Sequence, residues 1–191
     1  MIQIESAAYL WLAALLLFLP LDWVLSAFTA AVIHEICHIL AVRLMKGNIR
    51  KISISTCGCL IESSIDGEWH SILSILAGPA GSLSLLFLRR ILPQITVCGL
   101  IQGLYNLLPL LPLDGGHALQ VLLNSLCPKK AEKILLWTGR MVCMFLFFAV
   151  IWLVTVLDSG VTVVLISAVW IIRLFPRKIP CKAPKIGVQW L

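Results

Sequence analysis

The feature that most constrains this chain is Ala30-Ala31-Val32-Ile33-His34-Glu35-Ile36-Cys37-His38-Ile39-Leu40, a His-Glu-x-x-His pair set inside an apolar run. A spacing of four puts His34 and His38 on one face of a helix, close enough to reach a single ion. Glu35 falls on the adjacent face, where it can take a proton from water. Apart from this trio and Arg43, residues 30–44 are apolar. Ionisable groups at membrane depth are costly and usually serve function. The plain alternative is a pair of packed histidines on a buried helix. The acid between them, and a third candidate ligand downstream, weigh against it.

Composition decides the solvent. Of 191 residues, 60% are hydrophobic and 13% charged, about half the charged share of a soluble domain. A soluble core of this length cannot hide so much apolar surface. The expectation is an all-α polytopic membrane protein of about six transmembrane helices, with a small β-hairpin after the second. One membrane-embedded domain, 1–191, then accounts for the chain, with its core over 22–126 and a basic tail over 177–191. The net charge of +6 is scattered over span ends and tail, without the aromatic interleaving of a nucleic-acid surface. Seven dispersed cysteines, an odd number, argue against a disulfide scaffold. Met1 to Ser6 lacks a basic n-region, so the run that follows reads as a retained span.

Taken in order, the first span is expected over Ala7–Leu21, ended by Pro20. The second runs from about Trp23 to Met45 and stops at Gly47-Asn48. Lys51 to Thr56 alternates in the strand period, Cys57-Gly58-Cys59 reads as a turn or bulge, and Leu60-Ile61 resumes a strand. Such a hairpin could hold an extended peptide along its edge, or be a plain connector. Cys57 and Cys59 alone are weak metal ligands. The third span covers about Trp69–Leu88 and contains Ala77-Gly78-Pro79-Ala80-Gly81-Ser82, small residues that allow close helix approach. His70 at its start reads as a surface histidine. Gln94 to Leu108 is helical in pattern. The stretch Asn106-Leu107-Leu108-Pro109-Leu110-Leu111-Pro112-Leu113-Asp114-Gly115-Gly116-His117 must then unwind, restarting near Gly116 and reaching Leu126. Broken backbone at membrane depth is tolerated where it is buried in protein or lines a polar cavity. Spans five and six are expected over 131–157, where Arg140 is the one charge beyond Lys133, and 161–175. With both termini cytoplasmic, twelve lysines and arginines lie inside against Arg89 and Arg90 outside, a strong bias for that orientation.

A catalytic zinc takes three protein ligands and keeps one position open. His34 and His38 supply two. Asp114 is the best third, being the one acidic residue between Glu68 and Glu132, next to a glycine pair. Its bland role is a helix N-cap, and Glu62, Asp66 and Glu68 compete only if the hairpin folds deeply inward. The chemistry this set suits is metal-assisted peptide hydrolysis, with Glu35 as general base. Asn106, a lone amide on an apolar helix, is a candidate oxyanion donor or a helix-packing hydrogen bond.

His34-Glu35-x-x-His38 together with Asn106-x-x-Pro109-x-x-Pro112-x-Asp114-Gly115 resembles the site-2 protease family of intramembrane zinc metalloproteases. The similarity is closer to the compact bacterial branch that includes the sporulation sigma-factor processing protease. It covers about Asp22 to Leu126. The resemblance implies a zinc bound by His34, His38 and Asp114, with Glu35 activating water and Asn106 assisting substrate or oxyanion. It also implies a three-helix core with a small sheet. The substrate would be a membrane-anchored protein, such as a transcription regulator or its inhibitor, cut in or near its transmembrane segment to release a cytoplasmic product. The location implied is the bacterial cell membrane. The Gly78-Pro79 element is similar to a family motif that often ends in asparagine, where this chain has Ser82. Neither an inserted peptide-binding domain nor a nucleotide-sensing tail domain is expected, so a regulatory membrane partner would take their place. A different class stays open: a small transporter or metal channel with the histidines as ion ligands, since transporters also break helices near the midplane.

Overall fold

A computed structural model describes residues 2–4, 20–55, 58–157 and 189–190. Its elements in chain order are β1 (Ile2–Ile4), α1 (Leu21–Leu44), β2 (Asn48–Ser55), β3 (Gly58–Ser64), α2 (Glu68–Ser84) continued by a 3-10 turn (Leu85–Leu88), α3 (Pro93–Asn106), α4 (Asp114–Leu126), α5 (Ala131–Leu157) and β4 (Gln189–Trp190). Most of the first expected span, all of the sixth, Cys57 and most of the basic tail lie outside the described residues. The chain divides into two compact units at Leu107–Leu108, with residues 182–191 belonging to the first.

In the first unit, α1 is built inside out. Ser26, Ala30, His34, His38 and Val42 are buried, one row at a spacing of four. Leu25, Phe28, Val32, Ile36, Leu40 and Leu44 are exposed on the rest of the circumference. Large apolar side chains outside and small or polar ones inside is the arrangement a lipid solvent rewards, because tails offer leucine as good an environment as protein does. The same holds for α2, whose buried residues are Ser71, Ser74, Ile75, Gly78, Pro79 and Ser82, while Trp69 and Leu73 face out. On α3 the inward residues are Thr96, Gly99 and Gly103. A Cβ on Gly99 would come within 2.9 Å of the Ser82 carbonyl oxygen, and one on Gly103 within 3.2 Å of the Pro79 carbonyl oxygen. These two glycines therefore set how near α3 comes to α2. The segments Leu21–Leu44 and Glu68–Leu88, and Ala131–Trp152 in the second unit, are long and apolar enough to cross a membrane. The protein is a membrane protein.

Helix α1 ends sooner than Gly47-Asn48 suggests. Its body stops at Leu44, and Lys46 takes the left-handed conformation at φ 57°. The Lys46 N–H donates to the Arg43 carbonyl (3.0 Å) and the Gly47 N–H to the Val42 carbonyl (2.8 Å), the paired bonds of a Schellman stop. β2 and β3 follow and pair antiparallel, from Asn48↔Ser64 to Ser55↔Gly58. The irregularity in this pair is a register shift between Ile49 and Lys51, while Cys59 pairs regularly with Ile54. The termini extend the sheet to the order β1-β2-β3-β4. Ile2–Ile4 runs parallel to Ile52–Ile54, and Gln189-Trp190 lies antiparallel to Ser63 and Glu62.

In the second unit the backbone breaks after Leu107 and resumes at Asp114, two residues before the expected restart at Gly116. The Leu110 N–H donates to the Leu108 carbonyl (2.7 Å) and the Leu113 N–H to the Leu110 carbonyl (2.8 Å), so the broken stretch is a run of tight turns. The Leu111-Pro112 peptide bond is cis. These turns fold back on the first turn of α4. A Cβ on Gly116 would lie 2.6 Å from both the Leu110 oxygen and the Leu111 nitrogen, so only glycine fits there. α4 then packs on α5, where Arg140 is exposed.

The left-handed Lys46 costs about 1–2 kcal/mol, and glycine would remove that at the expense of about 0.5–1 kcal/mol of unfolded-state entropy. Lys46→Gly is expected to raise stability by up to about 1 kcal/mol, read as a higher thermal midpoint in detergent. A lower midpoint would contradict the helix stop described above.

Candidate metal centre

Two rows of residues at a spacing of four face each other in the first unit. On α1 they are His34 and His38; on α2 they are Ser74, Gly78 and Ser82. The helices run antiparallel at this contact, so His38 meets Ser74 and His34 meets Ser82. The His38 Nδ1 lies 2.9 Å from the Ser74 carbonyl oxygen. The His34 Nδ1 lies 2.8 Å from the Ser82 Oγ. Both imidazoles are 2% exposed, and their rings cross at 80° with the two Nε2 atoms 3.2 Å apart.

The proton positions follow from the partners. A carbonyl only accepts, so the His38 Nδ1 donates and its Nε2 carries a lone pair. The Asn106 Nδ2 stands 3.3 Å from the His34 Nε2, and an amide NH2 only donates, so that nitrogen too is an acceptor. The two Nε2 atoms thus come together at 3.2 Å. Nitrogens so placed could both turn a lone pair to one cation. Imidazole nitrogens freed by Nδ1 donation are the usual ligands of zinc. The donor chemistry of this pair fits a divalent metal.

Gly78 makes the geometry possible. A Cβ there would overlap the His38 Nε2 and sit within 2.7 Å of its Cδ2. Gly81 does the same for Cys37, whose Cβ would lie 2.8 Å from the added atom. Glu35 is half-buried, one residue beyond His34 and on the adjacent face of α1. Of the acidic competitors, Asp66 and Glu68 are exposed at the start of α2, about 9 Å along the helix from Ser74 at 1.5 Å per residue. His70 is exposed, its Nδ1 3.0 Å from the Asp66 carbonyl.

In the second unit Asp114 is the first residue of α4 and only 8% exposed. Leu113 holds the N-cap position and Asp114 stands one residue inside, where the free N–H groups of the first turn favour its negative charge. Asp114 is a buried side chain of metal-ligand type, as His34 and His38 are in the first unit. Ser74, Gly78 and Ser82 were not singled out for this role by the sequence. The available signal was their spacing of four, opposite in direction to the histidine pair.

Comparison with known proteins bears on this arrangement. Residues 68–146 match the family model of peptidase family M50; that stretch carries Asn106 and Asp114. A protein of Synechocystis sp. named "Putative zinc metalloprotease sll0528" is 28% identical over 137 residues, covering 60% of this chain and 36% of that protein. The chain therefore spans about a third of the length of that curated relative. Among solved structures, the site-2 protease from Methanocaldococcus jannaschii superposes with a TM-score of 0.61 at 19% identity, covering 96% of this chain and 94% of that one. The chain is thus similar to peptidase family M50 over residues 68–146, and its fold is similar to that of the site-2 protease. The M50 match and the shared fold agree with the resemblance carried by the His-Glu-x-x-His and Asn106-to-Gly115 motifs.

Because the His38 ring is held at Nδ1, it cannot swing away from a methyl group at position 78. Gly78→Ala is expected to weaken zinc binding by more than about tenfold, the scale on which ligand-orienting contacts act. Zinc content of the purified protein after dialysis against a chelator checks this. Full retention would show that the ring has room to move.

Proposed function

We propose that this chain is an intramembrane zinc metalloprotease. It hydrolyses a peptide bond in or near the transmembrane segment of a membrane-anchored protein and releases a product to the cytoplasm. The observation that carries the reading is the pair of imidazoles with Nε2 atoms 3.2 Å apart, each 2% exposed, on a helix whose outer face is leucine, isoleucine and phenylalanine. Such groups inside an apolar span are retained for chemistry. His34 and His38 hold the metal through Nε2. Asp114 is the third ligand: a carboxylate buried at a break in the backbone requires a compensating charge. Two nitrogens and one oxygen match the donor set of catalytic zinc. When bound, the metal acts as a Lewis acid on water and on the scissile carbonyl.

The remaining work belongs to the chain's own residues. Glu35 accepts the proton of the attacking water and delivers it to the leaving amine. The Asn106 amide, already aimed at the His34 Nε2, donates to the oxygen on which negative charge develops. The substrate helix must unwind to expose a peptide bond, so helix-breaking residues are expected at its cleavage position. A transcription regulator or its inhibitor is a fitting substrate, and a separate membrane protein a fitting regulator.

The sheet supports an orientation. β1 and β4 pair with the strands that follow α1. This pairing supports a reading in which β1 and β4 lie at the membrane face that carries Asn48–Ser64, with an even number of crossings on either side of that segment. Lys46, Arg50 and Lys51 mark that face as cytoplasmic. A multi-pass bacterial membrane protein with both termini inside follows, and six spans satisfy the parity. Reporter fusions at residues 1 and 191 are both expected to read cytoplasmic; opposite readings would break the sheet assignment.

The central experiment is metal content joined to turnover. Wild type and Glu35→Gln are expected to hold about one zinc per chain, and His34→Ala and Asp114→Ala to lose it. Cleavage of a co-expressed single-span substrate should fall by at least about 10²-fold in Glu35→Gln. Wild type without tightly held zinc, or Glu35→Gln with full cleavage, overturns the reading. Metal flux undiminished by Glu35→Gln would instead favour a transporter.

A further inference from the structure

We propose that Ser82 is the positioning residue for His34. It accepts the Nδ1 proton and so, together with Asn106, holds the tautomer that leaves the Nε2 lone pair for the metal. The proposal rests on the metal-site reading above and assigns a role to a residue whose polar function the sequence leaves open.

The two imidazoles are pinned by different kinds of group. His38 donates to a backbone carbonyl, that of Ser74, which no side-chain replacement removes. The Ser74 hydroxyl is turned elsewhere, 2.8 Å from the Ser71 carbonyl. His34 donates to a side chain, the Ser82 Oγ at 2.8 Å. Ser82 is fully buried. A hydroxyl can donate or accept, so Ser82 alone does not decide the tautomer; Asn106 does. Its amide donor at 3.3 Å requires an acceptor at the His34 Nε2, which sends the ring proton to Nδ1 and makes Ser82 the acceptor. Without that acceptor, the Nδ1–H tautomer buries an unpaired donor, while the Nε2–H tautomer can donate to the His38 Nε2 at 3.2 Å. The ring would then change tautomer, and its ligand lone pair would point away from the metal position.

The backbone enforces a short side chain here. α3 crosses against the Ser82 carbonyl, close enough that Gly99 has no room for a methyl group. Serine is the smallest residue that offers an acceptor in that space. A hydrogen bond to the far nitrogen also raises the basicity of the ligating one and fixes the orientation of the ring.

The test uses full-length protein purified in detergent, with Zn²⁺ competed by a chelating dye. Ser82→Ala is expected to weaken zinc binding on the order of 10–100-fold. Ser82→Thr, which keeps the acceptor, should stay within about threefold of wild type, and Ser74→Ala should match wild type. The second readout needs no metal. In the zinc-free protein, the imidazole 15N signals of His34 should report Nδ1 protonated in wild type and Ser82→Thr, and a shift toward Nε2 protonation in Ser82→Ala. If Ser82→Ala does not fold, Ser82→Cys, similar in size and a weak acceptor, takes its place with an intermediate loss expected. Wild-type affinity and an unchanged tautomer in Ser82→Ala overturn the role of Ser82 alone. A wild type that binds no zinc overturns the metal-site reading and this role with it.

Discussion

Two hydrogen bonds across the α1–α2 contact, from the His38 Nδ1 to the Ser74 carbonyl and from the His34 Nδ1 to Ser82, are what the rest of the first unit is arranged around. An imidazole in an apolar span is tolerable only if both nitrogens are engaged. Fixing Nδ1 of each ring on α2 leaves Nε2 of each ring as an acceptor with a single direction to face. That commits α1 and α2 to a close antiparallel contact, and close contact commits α2 to small residues wherever a ring lies. Gly78 under His38 and Gly81 under Cys37 follow from that requirement. So does the approach of α3 through Gly99 and Gly103, which brings Asn106 to the same place.

The helices are held together by shape and hydrogen bonds, since both faces of each helix are acceptable to lipid or protein. Thr96 shows the second means: its hydroxyl lies 3.0 Å from the Leu85 carbonyl, tying α3 to the 3-10 turn that ends α2. In water such a core, made of serine, glycine and alanine, would bury too little apolar area to stand. In lipid no water competes for the hydroxyls, and dispersion at short range is not opposed by a loss of favourable solvation.

This is also why some features could be read from the sequence and others could not. The extents of α1, α2, α3 and α5 agree with expectation within about two residues, because length of apolar run and the positions of Pro93, Pro128 and Gly47 decide them. The inward faces could not be read the same way. Apolar periodicity is weak when the outer face is as apolar as the helix average, and the usable signal was the row of small and polar residues at 26, 30, 34, 38 and 42. The break at Leu107–Leu113 was legible because Pro109, Pro112 and the glycine pair allow no continuous helix. Its end at Asp114 was not, since the start of α4 depends on Leu110 folding against Gly116. Strands β1 and β4 have three and two residues, too few for any period, and exist through pairing with residues far away in sequence. The sequence marks Ser82 only as standing where the family motif often has asparagine; its partner is revealed by the register of α2 against α1.

The unequal anchoring of the two histidines has a consequence for how the centre tolerates change. His38 depends on the path of a backbone, so only changes that move α2 or fill the space over Gly78 disturb it. His34 depends on two side chains, Ser82 behind it and Asn106 before it, which act on opposite nitrogens of one ring. Both act on the tautomer of the same ring, so their effects on His34 should not add. The more adaptable imidazole is therefore the one next to Glu35, where small changes in ring orientation would alter the reach of the proposed general base. The rigid ligand lies a turn away, held by backbone on a helix whose own course is set by Pro79 and its glycines.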